Sequence, residues 1–293
     1  MSNFMCVYSI LLSTILLCSC GSKAADNKEV LENNDNEELT SSVSLENSGD
    51  TAVFVTSRDS AVKKSLLTPY SASIKDIRNN YVYLSTGDSL LFDDGKEKGH
   101  QELLDDADVE DMFKQTYKLP DGSPEYLFDP GRGRSEALFK AMYGSSAKEV
   151  ERNLTTVEWF GQNVKFSKIN GAADSLRTVA KELANHPELK PYLKSSGTFY
   201  WRPVRGAKRM SAHSYGIAFD IGVDKSNYWQ WTSGSNDELK KVEYQNKIPL
   251  ELVKIFQKHG FIWGGAWYHY DTMHFEFRPD LLLYAEIMED PNK

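Results

Sequence analysis

A single carboxylate, that of Asp220, stands inside an otherwise apolar run, and this placement restricts the folds open to the chain. Residues 218–223 read Ala-Phe-Asp-Ile-Gly-Val, an alternation that predicts a strand entering a hydrophobic core. A buried charge is costly unless it is paired with a counter-charge or binds a metal. His213 comes shortly before this strand, and Gly216 and Ala218 remove side-chain bulk where the chain turns back. The pattern therefore predicts that an imidazole and a carboxylate point to one spot.

A second strand-like stretch, residues 273–277, supplies another imidazole. In its sequence Met-His-Phe-Glu-Phe, His274 and Glu276 share one face of the strand and the two phenylalanines share the other. A catalytic zinc ion usually takes three protein ligands and keeps a fourth position for water. His213, Asp220 and His274 supply two imidazoles and one carboxylate, so we predict one Zn²⁺ per chain on these three residues.

Hydrolysis at such a metal also needs a proton carrier close to the attacking water. Asp271 precedes His274 in the sequence and is the predicted carrier, because it would take the proton of the water and pass it to a leaving amine. Glu276 and His269 compete for this role. Glu276 alternatively supports a ligand histidine, and His269 alternatively hydrogen-bonds the transition state or stacks among aromatic residues.

Other residues around these two stretches are candidate contacts for a substrate. A cation is expected beside an oxyanion or a substrate carboxylate, and three arginines stand just ahead of the first stretch. They are Arg202, Arg205 and Arg209. We predict that the substrate-binding or supporting residues are Ser211, Arg209, Trp267, His269 and Glu276.

The N-terminal residues have the pattern of an export signal. Residues 4–19 are almost wholly apolar or small, which predicts a signal peptide over residues 1–19 rather than a transmembrane helix. Residues 17–20, Leu-Cys-Ser-Cys, resemble a bacterial lipobox, and this resemblance implies cleavage before Cys20 and lipidation of its sulfur. An ordinary cleaved signal peptide is the alternative. The lipid would anchor the protein to a membrane of the bacterial cell envelope, facing the periplasm or the exterior.

Cysteine use and charge narrow the possible functions further. The three cysteines, Cys6, Cys18 and Cys20, all lie in the N-terminal segment, so the folded part holds neither a disulfide framework nor a cysteine-ligated metal. Residues 21–60 contain nine acidic and three basic side chains, which predicts a disordered acidic tether over residues 20–65. A formal net charge of −8 is the opposite of what a nucleic-acid surface requires, so we expect no nucleic-acid partner.

The rest of the chain mixes helical and strand patterns without a regular alternation, which favours an α+β fold over a doubly wound sheet. Turn signals separate strand patterns near residues 81–92, and a strand pattern covers residues 159–166. Helical periodicity covers residues 134–143, 176–183 and 249–259. From these patterns we predict an N-terminal α/β extension over residues 66–155, packed on a zinc-binding domain over residues 156–289.

The two motifs resemble the VanY-type zinc D-Ala-D-Ala carboxypeptidase family. The resemblance rests on Ser211-x-His213-x-x-Gly216-x-Ala218-x-Asp220 and on Asp271-x-x-His274. This family includes L-Ala-D-Glu endopeptidases and shares a superfamily with lysostaphin-type enzymes and the hedgehog signalling domain. The similarity covers about residues 160–288, and residues 92–95 and 129–143 look similar to an extension of some bacterial members.

The resemblance implies a zinc metallopeptidase with a small antiparallel sheet that carries the metal and is flanked by helices. It implies zinc on His213, Asp220 and His274, catalysis by Asp271, and a transition-state arginine that corresponds to Arg202 or, alternatively, to Arg209. We therefore expect a monomeric hydrolase that cleaves peptidoglycan stem peptides, foremost as a D-alanyl-D-alanine carboxypeptidase. The alternatives are an L-Ala-D-Glu endopeptidase and a non-catalytic lipoprotein that binds cell-wall peptides through a zinc site.

Overall fold

The computed structural model describes residues 57–290, in which helices surround three small antiparallel sheets. The α-helices are α1 (Arg58–Leu67), α2 (His100–Asp105), α3 (Glu136–Tyr143), α4 (Ala147–Arg152), α5 (Ala172–Leu183), α6 (Trp229–Ser233), α7 (Leu250–Lys258) and α8 (Pro279–Glu289). The strands are β1 (Ile74–Arg78), β2 (Tyr81–Leu84), β3 (Ser89–Leu91), β4 (Leu154–Trp159), β5 (Gln162–Ser167), β6 (Ser195–Gly197), β7 (Ala218–Ile221), β8 (Phe261–Trp263) and β9 (His274–Phe277). The predicted α+β class with small antiparallel sheets is confirmed.

The largest sheet has four strands in the order β6-β7-β9-β8, and every neighbouring pair in it is antiparallel. The other two sheets are the meander β1-β2-β3 and the hairpin β4-β5. In the four-stranded sheet, β7 pairs with β9 so that Asp220 stands directly opposite His274. Two strands that are more than fifty residues apart in the sequence thus present their polar side chains side by side.

One face of the four-stranded sheet belongs to the hydrophobic core. Phe219 of β7 and Phe275 of β9 form a cross-strand pair, and both are fully buried. Phe256 of α7 stacks on Phe275 with ring centroids 4.0 Å apart, and Trp159 of β4 meets Phe219 edge-on at 4.7 Å. Because successive side chains of a strand point to opposite faces, the polar residues of β7 and β9 lie together on the other face.

The N-terminal part of the described chain packs directly on this arrangement. Helix α1 contacts α8, and the hydroxyl of Tyr70, just beyond α1, donates to Asp280 of α8 at 2.7 Å. The backbone N–H of Trp263 in β8 donates to the hydroxyl of Tyr117 at 3.0 Å. Residues upstream of β4 therefore help to hold the edge strand and the last helix in place.

Three sequence-based expectations differ from the structure. The tether was expected to extend to residue 65, but residues 58–65 form most of α1, where Ala61 and Val62 are fully buried. Their burial depends on α8, a contact that local composition does not reveal. The pattern at residues 159–166 is not one strand, because Phe160 and Gly161 adopt left-handed φ angles of 45° and 81° and reverse the chain between β4 and β5. The expected boundary between residues 155 and 156 falls inside β4.

The predicted signal peptide, Cys20 and the tether up to residue 56 lie outside the described residues. Within residues 57–290, the helices lack the combined length and apolar character needed to cross a membrane.

Candidate metal centre and active site

Three different local structures place the side chains of His213, Asp220 and His274. Asp220 and His274 are cross-strand partners in β7 and β9. His213 lies in a short 3₁₀ helix, Ala212–Tyr215, and Gly216 ends this helix with a left-handed φ of 67°. A Cβ atom at Gly216 would stand 2.5 Å from Leu154 Cδ2, so glycine serves both the backbone conformation and the close approach.

The three side chains converge at hydrogen-bonding distances. His213 Nε2 lies 3.2 Å from Asp220 Oδ2, and His274 Nδ1 lies 3.1 Å from Asp220 Oδ1. One ligand-type atom from each of the three residues lies within 4.8 Å of the others. Two nitrogens and one carboxylate at these separations can be bridged by one small cation.

The protonation of the two imidazoles fits a metal between them. His213 Nδ1 lies 2.5 Å from the carbonyl oxygen of Thr198, and His274 Nε2 lies 3.5 Å from Glu276 Oε2. Carbonyl and carboxylate oxygens only accept, so the outer nitrogen of each ring carries a proton. Each inner nitrogen faces Asp220, so it either donates to this carboxylate when it is protonated or, when the ring is neutral, offers its lone pair to a cation bound between them.

Without a metal, the pKa shifts of His274 and Asp220 show that positive charge is favoured within the cluster. Burial disfavours the charged form of His274, but hydrogen bonds to Asp220 and Glu276 outweigh burial and raise its pKa to about 10. Burial likewise opposes the ionisation of Asp220, but His213 and His274 hold the pKa of this carboxyl well below its usual range. A proton on His274 thus supplies part of the positive charge that the cluster attracts.

Glu276 lies behind His274 and is already engaged by an arginine. Arg134 Nε donates to Glu276 Oε1 at 2.8 Å, and Arg134 Nη2 donates to Oε2 at 2.5 Å. Glu276 is fully buried, and although burial opposes its ionisation, Arg134 holds the pKa of Glu276 well below its usual range. Both oxygens face this guanidinium, an arrangement that suits Glu276 to orienting His274 rather than to carrying a proton. Arg134 escaped the sequence analysis because nothing near it in the sequence links it to the motifs.

Asp271 is the acidic residue best suited to carry a proton. It lies with the three converging residues along the wall of the same cleft. Its Oδ1 atom is buried and has no hydrogen-bond partner within residues 57–290. Burial and the repulsion from Asp220 raise the pKa of Asp271 to about 7, and the two imidazoles only partly oppose this rise. A carboxyl group that titrates near neutrality can both accept and return a proton.

The cleft over the cluster has a volume of about 290 Å³ and a strongly basic wall. Of the arginines in this wall, Arg209 is paired with Asp105 at 2.5 Å. Arg202 instead donates to the carbonyl of Pro203 at 3.2 Å, and no carboxylate among residues 57–290 is paired with it. Arg202 is therefore the better placed of the two predicted cations to meet a substrate anion.

The remaining predicted contacts occupy different places around the cleft. Ser211 lines it and caps the turn of His213, whose N–H donates to Ser211 Oγ at 3.4 Å. Trp267 also lines it and lies over His274, with ring centroids 5.6 Å apart. His269 is almost completely buried, and its Nδ1 donates to Asp129 Oδ2 at 2.7 Å. Asp129 had appeared only as part of a turn signal, so sequence analysis missed this partner.

A second group of potential metal ligands lies nearby, but an arginine side chain already pairs with its carboxylate. Single atoms of His100, Glu238 and His269 lie within 4.8 Å of one another. However, Arg132 Nη1 contacts Glu238 Oε2 at 2.8 Å and Asp129 Oδ2 at 3.3 Å. The guanidinium group therefore neutralises Glu238, the one carboxylate of this group to which a metal would bind.

Comparison with known proteins agrees with this geometry over part of the chain. None of the curated proteins matches the sequence. Residues 205–277 match the model of a family described as D-alanyl-D-alanine carboxypeptidase. The matched segment includes His213, Asp220, Asp271 and His274, whereas Arg202 lies outside it. Residues 205–277 are thus similar to the D-alanyl-D-alanine carboxypeptidase family, and this similarity supports a peptidase.

Proposed function

We propose that the protein is a zinc-dependent peptidase of the VanY type that removes the terminal D-alanine from peptidoglycan stem peptides. The observation that carries this proposal is the convergence of two imidazole nitrogens and one carboxylate on the floor of a cleft. Asp271 lies in the same cleft with a buried, unpaired oxygen. A set of two histidines and one carboxylate is typical of catalytic zinc sites that keep a position open for water.

The residues of the cleft have separate roles in the proposed peptide hydrolysis. A zinc ion held by His213, Asp220 and His274 would acidify a water molecule and polarise the scissile carbonyl. Asp271 takes the proton of the attacking water and returns it to the amine that leaves, which requires a carboxyl pKa near the working pH. Arg202 provides the positive charge that stabilises the developing oxyanion or holds the terminal carboxylate of the substrate.

The shape and charge of the cleft support a short, anionic peptide end as substrate. A volume of about 290 Å³ is at the small end of ligand sites and accommodates one or two residues. Arg202, which pairs with no carboxylate among residues 57–290, favours a carboxylate-bearing ligand such as the C-terminus of a stem peptide. The L-Ala-D-Glu endopeptidase is the second candidate, since the resemblance associates an aspartate at the position of Asp271 with that branch.

We also propose that the protein is a lipoprotein of the bacterial cell envelope. Cys20 would carry the lipid, and the tether after it would let a monomeric domain reach the cell wall from the membrane. The lipobox-like sequence supports this location, as does the extracytoplasmic site of the proposed substrate.

Mass spectrometry of stem peptides incubated with the zinc-loaded protein tests the activity and identifies the bond. Loss of one D-alanine from a pentapeptide supports the carboxypeptidase, and separation of L-Ala from D-Glu supports the endopeptidase. Asp271→Asn should abolish either reaction while zinc remains bound, and Asp121→Asn, at an exposed turn, should not. Binding of the peptides without hydrolysis would instead indicate the non-catalytic lipoprotein.

A further inference from the structure

Residues 128–130, which lie outside the family-matched segment, hold the loop that leads to Asp271. Asp129 accepts two hydrogen bonds from His269, one from the backbone N–H to Oδ1 at 2.9 Å and one from Nδ1 to Oδ2 at 2.7 Å. Both residues are buried, with exposed fractions of 6% and 1%. A carboxylate that accepts from the backbone and the ring of the same residue fixes its main chain and its side chain together.

The neighbours of Asp129 make two more contacts with the same loop. The backbone N–H of Tyr268 donates to the carbonyl of Phe128 at 2.8 Å. The indole Nε1 of Trp267 donates to the carbonyl of Pro130 at 2.6 Å. Three consecutive residues of one segment therefore bind three consecutive residues of the other, and we call residues 128–130 the clamp.

The clamp is itself held firmly. The backbone N–H of Asp129 donates to Gln115 Oε1 at 2.7 Å, and Gln115 Nε2 donates to the carbonyl of Leu127 at 2.9 Å. Burial opposes the ionisation of Asp129, but Arg132 and His269 outweigh it and lower the pKa of Asp129. Asp129 is thus a charged acceptor with a fixed backbone, which is what a rigid support for another residue requires.

The loop that the clamp holds contains Trp267 and leads to Asp271, the proposed proton carrier. Trp267 lies over the ligand His274. Asp271 follows His269 by two residues; its backbone N–H donates to Gly264 at 3.0 Å, and its carbonyl accepts from His274 N–H at 3.1 Å. The side chain of Asp271 has a buried oxygen with no partner within residues 57–290. The backbone hydrogen bonds of Asp271 fix the start of its side chain, and the clamp fixes the same backbone on the upstream side.

We propose that Asp129 is a positioning residue for Asp271, so that the clamp belongs to the catalytic apparatus although it precedes the matched segment. This inference rests on the proposed peptidase function. The carboxylate selects the tautomer of His269 that is protonated at Nδ1. An asparagine has only one oxygen, so its N–H₂ group would face one of the two donors of His269. That hydrogen bond would be lost, or the ring would have to change tautomer.

Asp129→Asn tests the proposal in the full chain, with Asp129→Glu as the charge-conserving variant and Asp121→Asn as the exposed control. We expect Asp129→Asn to lower kcat about 10–100-fold, because misplacing a catalytic group by about 1 Å costs up to roughly 100-fold. KM and zinc affinity should change by less than about twofold, because neither Arg202 nor the three ligands contact Asp129. Asp129→Glu should recover part of kcat, and Asp121→Asn should match the wild type.

Nuclear magnetic resonance of the metal-free protein provides a readout that does not need turnover. Asp129→Asn should shift the ring nitrogens of His269 and the carboxyl carbon of Asp271, and Asp121→Asn should shift neither. A folded Asp129→Asn variant with wild-type kcat, or with an unshifted Asp271 carboxyl, would overturn the proposal. If wild-type protein hydrolyses no peptide, the proposed function fails, but the shift of Asp271 still decides whether the clamp positions it.

A second variant covers the case in which Asp129→Asn does not fold. Trp267→Phe removes the hydrogen bond to Pro130 together with part of a buried ring, and it keeps an aromatic ring beside His274. It should lower kcat roughly fivefold, the value of about 1 kcal/mol for one neutral hydrogen bond. Unchanged kcat in this variant would count against the clamp.

Discussion

Replacement of Asp271 by asparagine should stabilise the metal-free protein at neutral and alkaline pH, although it abolishes the proposed hydrolysis. The reason is that the folded protein holds this carboxyl in a place that disfavours its charge. Oδ1 is buried without a partner among residues 57–290, and Asp220 repels the ionised form. An amide of the same shape carries no charge, so it avoids this cost.

The size and the pH range of the effect follow from the pKa of the group. An ordinary aspartate, as in the unfolded chain, has a pKa of 3.8, whereas burial and Asp220 raise that of Asp271 to about 7. Between these values the folded state binds more protons, so the free energy of unfolding falls by about 1.4 kcal/mol per pH unit. The protonated Asp271 carboxyl thus contributes its full share to the free energy of unfolding of the wild type below pH 4. This contribution, up to about 4 kcal/mol, is lost above pH 7.

Urea unfolding in the presence of a chelator, from pH 4 to pH 9, measures this difference. The unfolding free energy of Asp271→Asn minus that of the wild type should rise by up to about 4 kcal/mol between pH 4 and pH 7 and then stay level. Asp121→Asn should show no such rise, since Asp121 is exposed. Saturating zinc should shrink the difference, because a nearby cation favours the ionised carboxylate. A difference that does not vary between pH 4 and pH 7 would refute the reasoning.

Three further predictions concern the metal centre and its support. Arg134→Met should weaken zinc binding about 10–100-fold in a chelator competition, because Glu276 then loses its partner and holds His274 poorly; Arg152→Met, at an exposed position, is the control. Zinc binding at pH 8 should release about one proton in calorimetry with buffers of different ionisation enthalpy, because the raised pKa of His274 leaves it protonated in the metal-free protein. Gly216→Ala should cost about 1–2 kcal/mol in urea unfolding, since alanine is disfavoured at a φ of 67°.

Each of these predictions has an outcome that contradicts it. Unchanged zinc affinity in Arg134→Met would mean that Glu276 does not need its partner to orient His274. Zinc uptake at pH 8 without proton release would mean that His274 is already neutral. Wild-type stability of Gly216→Ala would show that the turn adapts to a side chain.

The parts of the protein that could be foreseen are those in which the cause is local. The alternation of residues in β7 and β9 follows from the two-residue period of a strand, so the shared face of His274 and Glu276 could be read directly. The left-handed conformation of Gly216 is allowed by its missing Cβ atom. His213 and Asp220 are only seven residues apart with a turn between them, so their side chains were expected to lie close together. The start of α1 at Arg58 was missed because its burial depends on a helix near the other end of the chain.

Sequence alone determined which side chains have the chemistry to hold a metal and to carry a proton. Only the tertiary structure decided which groups support them, because those partners are distant along the chain. Arg134 reaches Glu276 across 142 positions and Asp129 reaches His269 across 140, and no local period links such residues. Their contacts exist because the N-terminal part packs against the four-stranded sheet. The physical reason is that periodicity encodes the face of one element, whereas a buried ion pair requires two elements to meet.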